Sequence, residues 1–292
     1  MLTHTRELVT AAAAAGHAVG AFNVITLEYV EAVLAGAESV GRPVILQISE
    51  NAVTFHGGRL APFAAAATAL AATSSVPAAL HLDHVTDVTL LHQAPACGFS
   101  SVMYDASALE YDDNVAATAA AADFCHRHGL WLEGELGAIG GKDGAHAPGV
   151  RTDPAEAARF VAATRLDALA VAVGSSHAMT TRTTTLDHDL VARLRAAVPV
   201  PLVLHGGSGV GEPELAAAIA HGLVKINIGT ALNVALTRAL RGALDAGAGI
   251  VDPRRYLAPA RDAVARTVAE TLTRLDPARS DSARPDPAPV PA

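Results

Sequence analysis

The stretch Ala78-Ala79-Leu80-His81-Leu82-Asp83-His84 carries the fold in miniature. Ala78–Leu82 is a short run with apolar residues on both alternating faces, which suits a parallel strand buried on both sides. Its ionisable residues gather at the C-terminal end. Runs of the same kind precede it at Val19–Val24 and Val44–Ile48. Others follow at Ser101–Tyr104, Leu130–Leu136, Ala168–Val173, Pro201–Leu204 and Val224–Ile228, making eight. Helical stretches fall between them, among them Leu27–Ser39, Asn114–His128, Pro154–Thr164, Leu186–Ala197 and Pro213–His221. Thr152-Asp153-Pro154 and Gly211-Glu212-Pro213 supply helix starts, with proline in the first turn. Eightfold strand–helix alternation predicts one α/β domain, a single (β/α)₈ TIM barrel over residues 1–275, with an open doubly wound sheet as the competing architecture.

Composition is consistent with that reading. Hydrophobic residues make up 51% of the 292, enough for one large core, and aromatics only 4%, so alanine-rich helices carry the packing. Residues 276–292 change character: five prolines with alanine, aspartate and serine predict a disordered tail. The net charge of −8 provides no basic face, which argues against a nucleic-acid partner. Apolar stretches such as Ala64–Ala72 are too short to cross a bilayer, and no signal peptide is evident, so a soluble cytoplasmic protein is expected. Cys97 and Cys125 are too few for a disulfide framework and are expected to be buried.

In such a barrel the C-terminal ends of the strands face the active site. Histidines and carboxylates collect there: His81, Asp83 and His84 after the third run, Asp105 after the fourth, Glu133 and Glu135 in the fifth, His177 after the sixth and His205 after the seventh. Alternation puts Glu133 with Glu135 on one face, and likewise His81 with Asp83. His84, His177 and His205 suit a metal site with an open position. Asp83, Asp105 and Glu135 offer a base, support for the ligands or another metal position. Seven other histidines, His4, His17, His92, His126, His128, His188 and His221, read as ordinary hydrogen-bonded residues. Glycine-bearing loops follow the last two runs, His205-Gly206-Gly207-Ser208-Gly209 and Asn227-Ile228-Gly229-Thr230. Loops in those positions commonly cradle phosphate with backbone N–H groups and a helix N-terminus. The connection from Gly134 to Gly149 is long and polar, able to close over a site. A metal-dependent hydrolase and a non-catalytic sugar-phosphate sensor remain open on these residues alone.

Gly20–Val24, His81–His84, Gly98–Asp105, Glu133–Gly137, Asp167–Gly174 through His177, His205–Gly209, Lys225–Thr230 and Asp252–Tyr256, in this order, resemble the motifs of the class II fructose-bisphosphate and tagatose-bisphosphate aldolases over roughly residues 5–275. The resemblance implies a lyase that cleaves fructose 1,6-bisphosphate to dihydroxyacetone phosphate and glyceraldehyde 3-phosphate, with tagatose bisphosphate or another ketose phosphate as the alternative. It implies His84, His177 and His205 as ligands of a catalytic Zn²⁺, and Asp105 and Glu135 at a second metal or resting position. A monovalent cation and a homodimer or homotetramer are further expectations. Asp83 matches the acid/base at the C4 oxygen, and Asn227 the group that holds the enediolate. Gly206, Ser208 and Thr230 match phosphate contacts, with Gly207, Gly229, Ala178 and Asn23 as further substrate-side candidates.

Three positions depart from the family pattern. Ala178 follows His177 where glycine is usual. Thr181 occupies the place of a phosphate-gripping lysine, with Arg182 next to it as the candidate substitute. Lys142-Asp143 replaces an acidic pair, leaving Asp143 or His146 to exchange the C3 proton. Lys142 and Lys225 are the only lysines, which weakens a Schiff-base mechanism.

Overall fold

The computed structural model describes residues 1–136, 149–247 and 249–276. Strands β1 (Val19–Asn23), β2 (Val44–Ser49), β3 (Ala78–Val85), β4 (Ser101–Tyr104), β5 (Trp131–Glu135), β6 (Ala168–Ala170), β7 (Leu202–Leu204) and β8 (Leu223–Ile228) run parallel in sequence order. β8 returns to pair with β1, Asn227 beside Ala21, so the sheet is a closed barrel and the open sheet is excluded. Helices α1 (Thr5–Ala15), α2 (Leu27–Ser39), α3 (Glu50–Phe55), α4 (Leu60–Thr73), α5 (Val88–Leu91), α6 (Tyr111–Arg127), α7 (Pro154–Thr164), α8 (His188–Ala197), α9 (Glu212–His221), α10 (Thr230–Ala246) and α11 (Arg254–Arg274) complete the order.

Alternation along the strands divides the core in two. Outward residues such as Leu46, Ile48, Leu80, Leu82 and Leu132 pack against the helices. Inward residues Val19, Ile45, Ala79, Trp131 and Val203 form a smaller cluster, closed by Leu8, Val9 and Ala12 of α1. Above that cluster the inward positions turn polar: Gln47, His81, Ser101, Glu133 and Lys225 are all fully buried. The barrel is thus apolar at the α1 end and polar below its mouth.

Local chemistry accounts for where elements begin and end. Asp153 accepts the Glu156 N–H at 2.8 Å with Pro154 in the first turn, so α7 begins at its expected residue. α6 starts one turn before Asn114, because Asp112 and Asp113 suit a helix N-terminus. α8 starts at His188 rather than Leu186, since Asp187 caps it by accepting the Leu190 N–H at 2.8 Å. β6 stops short of the expected Val173: the Ala172 N–H donates to the Thr152 hydroxyl, and the Thr152 N–H donates back to the Ala172 carbonyl. Cys125 is buried as expected, whereas Cys97 is only half-buried. Asp276, expected to open the tail, is instead buried and accepts from Arg42 at 2.7 Å. The rest of that expected tail lies outside the described residues. Among the described residues, no helix is long and apolar enough to cross a membrane.

The long α11 rests on α2 at Gly36. A Cβ there would lie 2.5 Å from the Ala265 carbonyl oxygen and 2.8 Å from the Val268 Cβ. Gly36→Ala is therefore expected to destabilise by ~1–3 kcal/mol through overpacking. Thermal unfolding should register a fall of several degrees; an unchanged Tm would mean that the two helices are not in such close contact.

Candidate active site

Each polar residue at the barrel mouth is positioned by a strand end. Asp83 and His84 close β3, Asp105 follows β4, Glu135 closes β5, His205 follows β7, and Asn227 lies in β8. The β3–β4 register shifts between Leu82 and Val85, and His84 inside that shift has φ +50°. Left-handed backbone is costly for a non-glycine residue, and here it breaks strict alternation, so that two consecutive residues, Asp83 and His84, both line the cavity.

The imidazoles of His84, His177 and His205 face one another edge to face, with ring centroids 4.8–5.7 Å apart. One donor atom from each lies within 4.8 Å of the others; His84, Asp105 and Glu135 form a second such group. His84 Nδ1 lies 3.1 Å from Asp105 Oδ2, whose partner oxygen Oδ1 accepts from the Ser107 hydroxyl at 2.6 Å and N–H at 3.1 Å. Burial opposes charge on His84, yet Asp83, the Asp105 hydrogen bond and Glu135 outweigh it and raise its pKa to about 10. Burial likewise opposes charge on Asp105, but the bonds to His84 and Ser107 hold its carboxyl well below the usual range. Three imidazoles in a field that favours positive charge fit a divalent cation such as zinc, and the overlapping carboxylate group fits a second position.

Deeper in the barrel the polar side chains are tied together. Asn23 donates to Asp83 Oδ2 at 2.8 Å, and Gln47 donates to Asn23 Oδ1 at 3.3 Å. Lys225 Nζ donates to Glu133 Oε2 at 2.8 Å and to Asn227 Oδ1 at 2.7 Å. Glu133 Oε1 in turn lies 2.8 Å from His205 Nε2. His81 bonds through Nδ1 to the Ser101 hydroxyl at 2.7 Å; burial and the Lys225 charge hold its pKa well below the ordinary value, so the ring is neutral.

Next to the imidazoles, the loop after His205 is a candidate anion cradle. Gly206 has φ +70°, and a Cβ on it would lie 2.5 Å from the Ser176 carbonyl oxygen, so only glycine fits. The Ser208 hydroxyl accepts the Ala231 N–H at 3.0 Å, which joins this loop to the first turn of α10. The Ala231 N–H is thus spent on Ser208, and the Leu232 and Asn233 N–H groups on the Gly229 carbonyl, so an anion there would rely on Thr230 and the dipole of the helix.

One cavity of about 570 Å³ brings together Asn23, Asp83, His84, Asp105, His177, Ala178, Gly206, Ser208, Asn227, Gly229 and Thr230. Glu135 and Gly207 are buried and do not line it. Arg182 is exposed and lines a separate narrow cleft with Gly207 and Ser208, not the main cavity. Lys142, Asp143 and His146 lie outside the described residues. The histidines read as structural find partners elsewhere, as His4 does with the Gly129 carbonyl and His126 with Asp167. Lys225 and Ser107 were not anticipated as parts of the site, and Glu133 was placed on the Glu135 face without a role. The available signals were Lys225 two residues before Asn227 on one strand face, and a hydroxyl two residues after Asp105.

A (β/α)₈ barrel with a three-histidine donor set beside glycine-bearing loops is an architecture suited to metal-dependent catalysis. The sequence profile described as "Fructose-bisphosphate aldolase class-II" matches residues 3–278. Over 270 residues the chain is 37% identical to a probable fructose-bisphosphate aldolase of Bacillus subtilis (strain 168), covering 91% of this chain and 95% of that one. A fructose-bisphosphate aldolase of Staphylococcus aureus (strain Mu50) is 35% identical, with coverages of 91% and 94%. The crystal structure of the YdjI aldolase from Escherichia coli K12 superposes with a TM-score of 0.82 at 32% identity, covering 96% of this chain and 99% of that one. The chain belongs to the class II fructose-bisphosphate aldolase family, and is a lyase of that class.

Ala178, which stands where the resemblance implies glycine, adopts φ +60°. A left-handed alanine costs ~1–2 kcal/mol, partly offset by the greater freedom that glycine has in the unfolded chain. Ala178→Gly should therefore raise Tm by a few degrees in a thermal melt, and a fall in Tm would contradict the left-handed conformation.

Proposed function

We propose that the chain catalyses reversible, zinc-dependent aldol cleavage of fructose 1,6-bisphosphate to dihydroxyacetone phosphate and glyceraldehyde 3-phosphate. The observation that carries this reading is a single cavity lined by two of the imidazoles, His84 and His177, by Asp83 and by the Gly206–Ser208 and Gly229–Thr230 cradle. The third imidazole, His205, is fully buried beside them.

His84, His177 and His205 would hold the zinc, with Asp105 and Glu135 at an alternative position. Bound there, the ion supplies Lewis-acid stabilisation of the negative charge that cleavage leaves on the ketone half. Asp83 takes the proton from the C4 hydroxyl; the C3–C4 bond breaks, C4 leaves as the aldehyde, and the electron pair stays on the ketone half. Asn23 holds Asp83 by donating to Oδ2, so Asp83 meets the substrate in a fixed orientation. Asn227 offers its amide N–H to the developing enediolate oxygen. Asp143 or His146 would return the proton to C3. A cytoplasmic homodimer or homotetramer, with a monovalent cation beside the phosphate, completes the proposal on the strength of family membership.

A second reading rests on charge. The described residues lining the cavity include Glu50, Asp83 and Asp105 but no lysine or arginine. That supports a ketose phosphate whose far end is uncharged, since a second phosphate would meet carboxylates there.

A coupled cleavage assay on fructose 1,6-bisphosphate, tagatose 1,6-bisphosphate and a ketose 1-phosphate, with chelation and zinc add-back, tests these readings. Zinc-restored cleavage is expected, and Asp83→Ala should lower kcat by ~10²–10⁴. Metal binding without cleavage of any of the three would sink the proposal. Because Arg182 lines a separate cleft, Arg182→Ala is expected to leave KM near its original value; a roughly tenfold rise would put the guanidinium on the phosphate. An unchanged KM removes Arg182 and leaves the phosphate to the backbone cradle.

A further inference from the structure

The only described lysine inside the barrel is fully buried, and nothing in the cleavage chemistry uses it. Lys225 cannot act as a nucleophile where it sits, because two of its N–H groups are committed to Glu133 and Asn227 at 2.8 and 2.7 Å. A buried ammonium persists only when it is paired and hydrogen-bonded, and both of its partners lead into the active site. We propose that Lys225 is a positioning residue that sets two functional side chains at once: the tautomer of His205, through Glu133, and the orientation of the Asn227 amide.

The argument follows from which atoms can donate. An ammonium is donor-only, so the Asn227 atom 2.7 Å from Nζ must be its oxygen. The amide NH₂ is thereby turned away from Lys225. Nδ2 is buried without a hydrogen-bond partner among the described residues, and Asn227 lines the cavity, so a substrate oxygen is its available acceptor. By the same logic Glu133 presents one oxygen to Lys225 and, as a carboxylate, can only accept with the other. His205 Nε2 must therefore donate in that bond, and Nδ1, which faces Glu135 Oε2 at 3.5 Å, is the nitrogen turned toward the candidate metal position. Lys225 thus aims a donor at the substrate and a lone pair at the metal from one buried position. Without it, nothing distinguishes the two faces of the Asn227 amide.

This inference rests on the aldolase reading for its purpose, but its test does not need a substrate. Glu133→Gln sharpens it. Lys225 would still claim the side-chain oxygen, so the Gln NH₂ would face His205 Nε2 and force the proton onto Nδ1. Zinc affinity, measured on full-length protein by competition with a fluorescent chelator, should fall about 10- to 100-fold. Histidine ¹⁵N shifts of the metal-free protein should show the tautomer reversed at one ring. The double variant Lys225→Met/Glu133→Gln removes both charges of the buried pair, and its amide is free to turn its oxygen to His205. It should regain the original tautomer and bind zinc more tightly than Glu133→Gln alone, which a merely structural role for Lys225 would not produce.

Asn227→Ala, by contrast, should lower kcat while leaving zinc affinity near that of the unaltered protein. A double variant no tighter than the single, or an Nδ1-protonated His205 in the unaltered protein, overturns the proposal. Absence of zinc binding by the unaltered protein would sink the metal reading instead. The tautomer measurement would then still decide the role of Lys225.

Discussion

A closed barrel leaves its inward side chains only one another for neighbours. Eight parallel strands deliver residues at alternate positions into the same narrow space, so each must match those beside it in size and in hydrogen-bonding capacity. At the α1 end the match is apolar, with Ile45, Ala79 and Val203 against Leu8 and Val9. Nearer the mouth it is polar, and there a partner is obligatory, because an unpaired buried charge is far more costly than an unpaired methyl group. The Lys225–Glu133 pair meets that requirement, and both side chains are wholly excluded from solvent. Asn227 and His205 hang from this pair, and so through His205 does one side of the metal-ligand cluster.

Charge at the mouth is divided by chemistry. The protein is acidic overall, and Asp83, Asp105 and Glu135 concentrate negative charge around the three imidazoles. Such a field attracts a cation and repels a phosphate. A phosphate would be left to backbone N–H groups at Gly206–Ser208 and Thr230 and to the dipole of α10, which carry partial positive charge without a side chain that the carboxylates could neutralise. A lysine near these loops would have carboxylates as competing partners; helix and loop dipoles cannot be drawn away in that manner. The absence of lysine and arginine from the described lining is consistent with this division of labour.

Much of this was legible before any coordinates. The eight apolar runs predict the barrel because each strand is buried on both faces and therefore lacks alternation in polarity. Only their ends were misjudged, as at β6, where Thr152 takes over the backbone bonds of Ala172. A hydroxyl 20 residues upstream leaves no mark on the periodicity of Ala168–Val173. The ligand candidates were legible because their spacing follows the strand ends. The link from Lys225 to Glu133 was not: it crosses the barrel between residues 92 positions apart, and its meaning depends on which oxygen faces which donor. Arg182 shows the opposite limit. Its position in the chain next to Thr181 suggested the cavity, but the turn of the backbone puts it behind the Gly207–Ser208 loop.

The strained positions point the same way as the electrostatics. Among the described residues, three non-glycine residues have positive φ: His84, Arg165 and Ala178. Arg165 ends α7, where a left-handed residue commonly closes a helix. The other two are a metal-ligand candidate and the neighbour of another, His177. Strain at such places persists only when the surroundings overdetermine it. For His84 the register shift in β3 and the bond to Asp105 do so, holding the imidazole against its partners before any ion arrives. The ligand set is therefore preorganised by backbone geometry on the His84 side and by the buried Lys225–Glu133 pair on the His205 side. His177, exposed on the loop after β6, meets the His84 and His205 rings edge to face at 5.1 and 5.7 Å and so joins the two supported sides.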